Sequence, residues 1–197
     1  ANRVVALANQ RGIYRFALVG HSWGSAVSLA VAMAAPERVT RVALYNGMFF
    51  TDQQPTIFHW ARVPGMGELI YGVFYPDRQD EKLSFAFYDP DRYVDEATVE
   101  DVERLMDKPG TLAAALASVR AMEFGPLEAR YGTVQQPVLL LWGREDNVTP
   151  LGYGERLLGR LPNARLVVYP RCGHLPMLEA AGASTQELLR FLKEGAS

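Results

Sequence analysis

Three residues of this chain have the types, order and flanking sequence of a nucleophile, an acid and a base: Ser22, Asp146 and His174. Ser22 lies in Gly20-His21-Ser22-Trp23-Gly24, a G-x-S-x-G pattern. Alone, a pattern with three fixed positions recurs by chance. Here it follows the apolar run Phe16-Ala17-Leu18-Val19 and opens the apolar stretch Ser25–Ala35. That is the strand–turn–helix context of a nucleophile elbow. The small residues suit a tight, strained turn, and a side chain at either glycine is expected to collide with neighbouring backbone. The turn also puts Ser22 at a helix N-terminus, where the dipole favours developing negative charge.

A serine hydroxyl is a poor nucleophile until a base takes its proton. The chain has three histidines: His21, His59 and His174. His21 is inside the elbow and is expected to pack beside the turn at the edge of the substrate pocket. His59 reads as a surface or packing histidine. His174 follows the run Leu166–Tyr169 in Pro170-Arg171-Cys172-Gly173-His174-Leu175-Pro176, where a loop histidine can reach over a sheet edge to the elbow. The base in turn needs a carboxylate to hold its tautomer. Trp142-Gly143-Arg144-Glu145-Asp146 follows a strand, and Asp146 is preferred over Glu145, which reads as a solvated loop carboxylate. The chain order is then serine, acid, histidine.

These residues need elements to position them. Val39–Tyr45 reads as a second strand, closed by Asn46-Gly47. Val138–Trp142 and Leu166–Tyr169 read as two more. Val4–Leu7 suggests the tail of an apolar helix ended by Gly12. Further helices are expected over Tyr153–Leu161 and Thr185–Lys193. From Phe49 to about Glu123 strand runs vanish. Helical periodicity marks Ile57–Arg62, Glu68–Phe74, Val99–Met106 and Thr111–Met122. Aromatics are dense there, among them Phe49, Phe50, Phe58, Trp60, Tyr71, Phe74, Tyr75, Phe85, Phe87, Tyr88 and Tyr93. The order of strands and helices predicts an α/β fold with a parallel sheet. The expected organisation is one α/β core over 1–47 and 126–197, interrupted by a helical block over 48–125.

Composition bounds the partners. The chain has 197 residues, 49% of them hydrophobic, and a formal net charge of −2. Nothing in that balance favours nucleic acid or an anionic membrane. One cysteine, Cys172, excludes an intrachain disulfide. No run approaches the ~20 apolar residues needed to span a bilayer. Residues Ala1–Arg11 lack the pattern of a secretory signal. A cytoplasmic protein is expected, with room for a targeting segment ahead of Ala1. No metal is expected, since the histidines are scattered and no H-E-x-x-H or paired-cysteine pattern occurs.

The sequence resembles the α/β-hydrolase superfamily, in its capped, cofactor-independent, esterase-like branch. The matching pieces are Gly20–Gly24, the stretch Leu139–Asp146 with Pro150, Gly173-His174-Leu175-Pro176 with Glu179, and the link Ala35-Pro36-Glu37-Arg38-Val39. The resemblance implies that residues 48 to about 125 form a cap over the active site and that no cofactor is used. Members that are haloalkane dehalogenases or epoxide hydrolases carry an aspartate at the elbow, so Ser22 argues against both. The family places four strands and a helix before the elbow strand, whereas 15 residues precede it here. Strands Phe16–Val19 and Val39–Tyr45 are therefore expected to lack neighbours on one side. The oxyanion hole is expected to have one donor, the N–H of Trp23, with the second supplied by another chain or segment.

The expected reaction is hydrolysis of a carboxylic ester, or a related acyl bond, of a small hydrophobic molecule. His21, Phe49, Phe50 and Leu175 are the expected substrate-binding residues. Thioester, lactone, amide and carbon–carbon hydrolysis share this triad. Gly20–Ser25 also resembles proline iminopeptidases, and a low-turnover ligand receptor is the reading from another class.

Overall fold

In the computed structural model, residues 1–74 and 78–194 are described, without the side chains of residues 73 and 74. The expected Tyr75 aromatic and the side chain of Phe74 lie outside that set. The first half runs α1 (Asn2–Gln10), β1 (Phe16–His21), α2 (Trp23–Ala34) and β2 (Val39–Tyr45). A helical stretch follows: α3 (Thr56–Ala61), α4 (Met66–Leu69) continuing into a π-turn (Ile70–Phe74), α5 (Gln79–Ala86), α6 (Pro90–Tyr93), α7 (Glu96–Met106), α8 (Thr111–Arg120) and α9 (Gly125–Glu128). The chain then returns to β3 (Val138–Gly143), α10 (Leu151–Leu158), β4 (Ala164–Tyr169), α11 (Pro176–Glu179) and α12 (Ala181–Lys193). All four expected strands form, and among the described residues none lies between β2 and β3.

The strands make one parallel sheet in the order β1-β2-β3-β4. Leu18, Val19, Gly20 and His21 pair with Val42, Ala43, Leu44 and Tyr45, with an irregularity between Phe16 and Leu18. β3 pairs with β2 through Val42↔Val138 to Tyr45↔Leu141, and with β4 through Val138↔Ala164 to Gly143↔Tyr169. The expectation that Val39–Tyr45 lacks a neighbour is corrected: β2 is interior, flanked by β1 and β3. The helical stretch between β2 and β3 is an excursion in sequence only, and it leaves their pairing intact. β1 is an edge strand, as expected, and β4 is the other.

Side chains alternate across the two inner strands and build a core on each face. On one face Val42, Leu44, Val138, Leu140 and Trp142 pack with Leu29 of α2 and Leu157 of α10. On the other, Ala43, Tyr45, Leu139 and Leu141 pack with Tyr169, Cys172 and Phe191 of α12. β3 is buried at every residue, which explains its continuous apolar run. A smaller cluster of Ala61, Ile70, Tyr71, Leu116 and Val119 holds α3, the π-turn and α8 together.

The short helices α5, α6, α9 and α11 were not anticipated. Three are four-residue turns opened by proline at their first or second position, too short for a periodic signal. In α5, Phe85 stands exposed, so no apolar stripe marks the helix.

Candidate functional site

Strand β1 delivers Ser22 directly to the start of α2. Ser22 caps that helix with φ 51° and ψ −124°, a strained conformation for a residue with a Cβ. Its N–H donates to Tyr45 O at 3.0 Å, and its carbonyl accepts from Met48 N at 3.1 Å. The elbow is thus braced by the end of β2. A Cβ at Gly20 would come within 2.6 Å of both Gly24 O and Ser28 Oγ, so glycine is required there. At Gly24 such a Cβ meets nothing within 4 Å. The expected collision at both glycines is therefore corrected to one. Gly24 lies inside α2. Trp23 is the first residue of α2, where N–H groups have no acceptor within the helix.

His174 and Asp146 come together from the loops after β4 and β3. His174 Nδ1 lies 2.9 Å from Asp146 Oδ2. Both residues are buried. A carboxylate oxygen only accepts, so Nδ1 carries the proton, and in the neutral ring Nε2 keeps its lone pair. His21 links this pair to the elbow. Its ring centroid is 4.6 Å from that of His174, and its Nε2–H donates to His174 O at 2.9 Å. Burial lowers the pKa of the His21 imidazole, and the nearby His174 adds to that; the bond to His174 O opposes it. Its expected place beside the turn matches this packing.

Asp146 is surrounded by donors. Oδ1 accepts from Val148 N at 2.8 Å and Thr149 N at 2.9 Å. Oδ2 accepts from His174, from Thr149 Oγ1 at 2.6 Å and from Asn46 Nδ2. Burial pushes the carboxyl pKa up, yet His174, Asn46 and Thr149 together outweigh it and hold the group below the ordinary aspartate value. Glu145 has a different part from the solvated one expected. Its Oε2 accepts from Cys172 N at 3.0 Å, and its own N–H donates to Cys172 O at 3.0 Å, so it ties the acid loop to the histidine loop. Cys172 between them is fully buried, which pushes its thiol up to about 12.

The helical stretch touches the histidine loop. His174 N donates to Ala86 O at 2.7 Å. Glu179 accepts from Gly173 N at 2.8 Å through one oxygen and from Tyr88 N at 2.7 Å through the other. A Cβ on Gly173 would approach Ala86 O to 2.5 Å, so only glycine permits this contact. Leu175, half-buried, follows His174 on the same loop. Phe49 and Phe50 are fully buried, in T-shaped contact with Tyr131 and each other, and Arg156 lies over the Phe50 ring at 3.9 Å. Neither ring has surface left for a bound molecule in this packing. His59 is exposed. Among the described residues no group of His, Cys, Asp and Glu side chains gathers as a metal site would need.

Two residues in the site escaped the sequence reading: Asn46, read as the turn closing β2, and Thr149. Thr149 stands three residues after Asp146, and its Oγ1 lies 2.6 Å from Asp146 Oδ2, 3.0 Å from Asn46 O and 3.3 Å from His174 Nδ1.

A family model described as alpha/beta hydrolase fold matches residues 2–181. The chain belongs to the alpha/beta hydrolase fold family. It is 30% identical over 188 residues to a 2-hydroxy-6-oxononadienedioate/2-hydroxy-6-oxononatrienedioate hydrolase of Burkholderia vietnamiensis, covering 92% of this chain and 64% of that one. It is 32% identical over 172 residues to a pimeloyl-(acyl-carrier protein) methyl ester esterase of Nitrosomonas europaea, covering 83% of this chain and 66% of that one. Among solved structures, a 2-hydroxy-6-oxo-6-phenylhexa-2,4-dienoate hydrolase from a Rhodococcus species superposes with a TM-score of 0.77 at 30% identity, over 96% of this chain and 68% of that one. The chain thus spans less than two thirds of the length of the Burkholderia relative. No helix among the described residues is long and apolar enough to cross a membrane.

Proposed function

We propose that this alpha/beta hydrolase cleaves a carboxylic ester of a small hydrophobic molecule through an acyl-enzyme. The observation that carries the reading is the buried His174–Asp146 pair at 2.9 Å, brought to the strained Ser22 elbow through His21. In the first step Ser22 Oγ attacks the substrate carbonyl and His174 Nε2 takes the hydroxyl proton. The tetrahedral intermediate collapses, the ester C–O bond breaks, and His174 returns the proton to the departing alkoxide. Water then attacks the acyl-enzyme, His174 takes its proton, and the acid leaves as Ser22 regains its hydrogen. Asp146 holds the ring tautomer and stabilises the imidazolium, and the N–H of Trp23 stabilises the oxyanion.

In the same reading, residues 48–125 cover the site as a cap. The bonds from Ala86 and Tyr88 to the histidine loop support that placement. Leu175 and His21 then lie at the substrate. The relatives named as 2-hydroxy-6-oxo acid hydrolases favour a second reading, in which the same triad cleaves a carbon–carbon bond beside a carbonyl. Turnover of matched ester and 2-hydroxy-6-oxo-dienoate substrates separates the two. For either, Ser22→Ala should lower turnover by several orders of magnitude, as triad removal does elsewhere. Undiminished hydrolysis of p-nitrophenyl esters by that variant would rule the mechanism out.

A further inference from the structure

We propose that Asn46 is a positioning residue for this reaction, a single buried side chain that keeps the acid, the base-bearing loop and the nucleophile elbow in one arrangement. The proposal rests on the triad reading above. Asn46 directly follows β2 with a φ of 41°, in the left-handed region, and is fully buried. Asparagine tolerates that backbone far better than a bulky or β-branched residue. A buried amide is costly unless it is bonded, and here both ends of the side-chain amide have partners.

Both amide protons are used across the active site. One goes to Asp146 Oδ2 and the other to Gly173 O at 3.2 Å, the carbonyl immediately before His174. The amide oxygen accepts from Gly143 N at 3.4 Å, at the end of the strand that launches the acid loop. The backbone N–H donates to Leu141 O at 3.0 Å, and the backbone carbonyl lies 3.0 Å from Thr149 Oγ1, whose one proton goes to Asp146 Oδ2 at 2.6 Å. The residues beside it hold the nucleophile: Tyr45 O accepts from Ser22 N, and Met48 N donates to Ser22 O. One four-residue segment therefore bonds Ser22, Asp146 and the carbonyl that precedes His174, and Asn46 carries its side-chain links.

The chemistry of the side chain is specific. An apolar replacement leaves Asp146 Oδ2 one donor short inside the protein. An aspartate keeps the shape and the backbone tolerance but sets a second carboxylate against the first. Glycine keeps the backbone and removes the donor. The Asn46 N–H also takes up part of the Asp146 charge, so its loss leaves more of that charge to stabilise the His174 imidazolium. The other titratable groups facing the pair are His21, at the ring of His174, and Cys172, Glu145 and Glu179 along the loops.

The test compares the wild-type chain with Asn46→Gly and Asn46→Asp. Three readouts are taken: rate–pH profiles on p-nitrophenyl esters, thermal unfolding, and the far-downfield proton resonance of the His174 Nδ1–H. Asn46→Gly should lower kcat about a hundredfold with little change in KM. Its acid limb should move to higher pH, and the downfield resonance should shift or broaden. Asn46→Asp should lose more activity than Asn46→Gly. If Asn46→Asp fails to fold, Asn46→Gly carries the test. A folded Asn46→Gly with an unmoved acid limb and an unmoved resonance overturns the proposal, even if its melting temperature drops. The resonance needs no turnover, so it also separates this proposal from the triad reading. If Ser22→Ala remains fully active the triad reading falls, while a resonance still coupled to residue 46 upholds the Asn46–Asp146–His174 linkage.

Discussion

Asp146 keeps its charge in a buried place because five donors converge on two oxygens. That has a consequence for stability. The folded carboxyl titrates below its ordinary value of 3.8, so the unfolded chain takes up the proton first on acidification. The stabilisation from this group is fully present above 3.8 and is lost as pH falls through the lower, folded value. Urea unfolding of the wild type should therefore weaken in that acid window. Asp146→Asn, which removes the titration, should be less stable near neutrality and should converge on the wild type at low pH. Stability curves that run parallel for the two proteins would contradict this role of the charge. The turn at Ser22 and the pairing of Asp146 with His174 were legible in the sequence because each residue sits in a short local pattern beside a strand. Asn46 was not, since an asparagine–glycine pair after a strand reads locally as a turn. Its meaning appears only when Asp146, a hundred residues later, folds against it. Thr149 is close to Asp146 in sequence, yet nothing in a lone threonine distinguishes a hydroxyl aimed at the carboxylate from one in water.

At the scale of elements, the strand–elbow–helix unit is tight at one glycine and open at the other. Gly20→Ala should destabilise by about 1–3 kcal/mol, as overpacking against backbone does, and should impair hydrolysis by moving the Ser22 turn. Gly24→Ala should stay within about 0.5 kcal/mol of the wild type. Thermal unfolding of the two variants checks both, and an equal loss in each would contradict the packing of the elbow. Sequence spacing treated these glycines alike, because the motif records their presence and not the direction in which each Cβ would point. The four strands were readable from their apolar runs, with β3 the clearest because both of its faces are covered. Their neighbours were harder to read. The short stretch before β1 suggested an open side for both β1 and β2, whereas β3 returns to pair beside β2, so Leu44 meets Leu140 across the helical excursion.

On the scale of the whole molecule, the inner strands are covered on both faces, and among the described residues β1 pairs on one side only. Val19 on that strand is 52% exposed, and Leu7, Ile13 and Tyr14 nearby are exposed as well. An unpaired apolar edge is a template for strand addition. The 197-residue chain on its own should therefore self-associate with rising concentration, and Val19→Lys should reduce this without lowering the melting temperature. Sedimentation velocity reads the first effect, and equal association by both proteins would contradict it. The interior of the molecule is organised around a different line, from β1 and β2 through the acid and histidine loops to Ala86 and Tyr88 of the helical stretch. Hydrolysis through Ser22 is the claim on which the functional account stands. Its most direct test is to treat the chain with a fluorophosphonate and locate the adduct by peptide mass spectrometry. One adduct is expected, on Ser22, that forms in the wild type and fails to form in His174→Ala. An adduct on another residue, or labelling of Ser22 that is indifferent to the loss of His174, would contradict it.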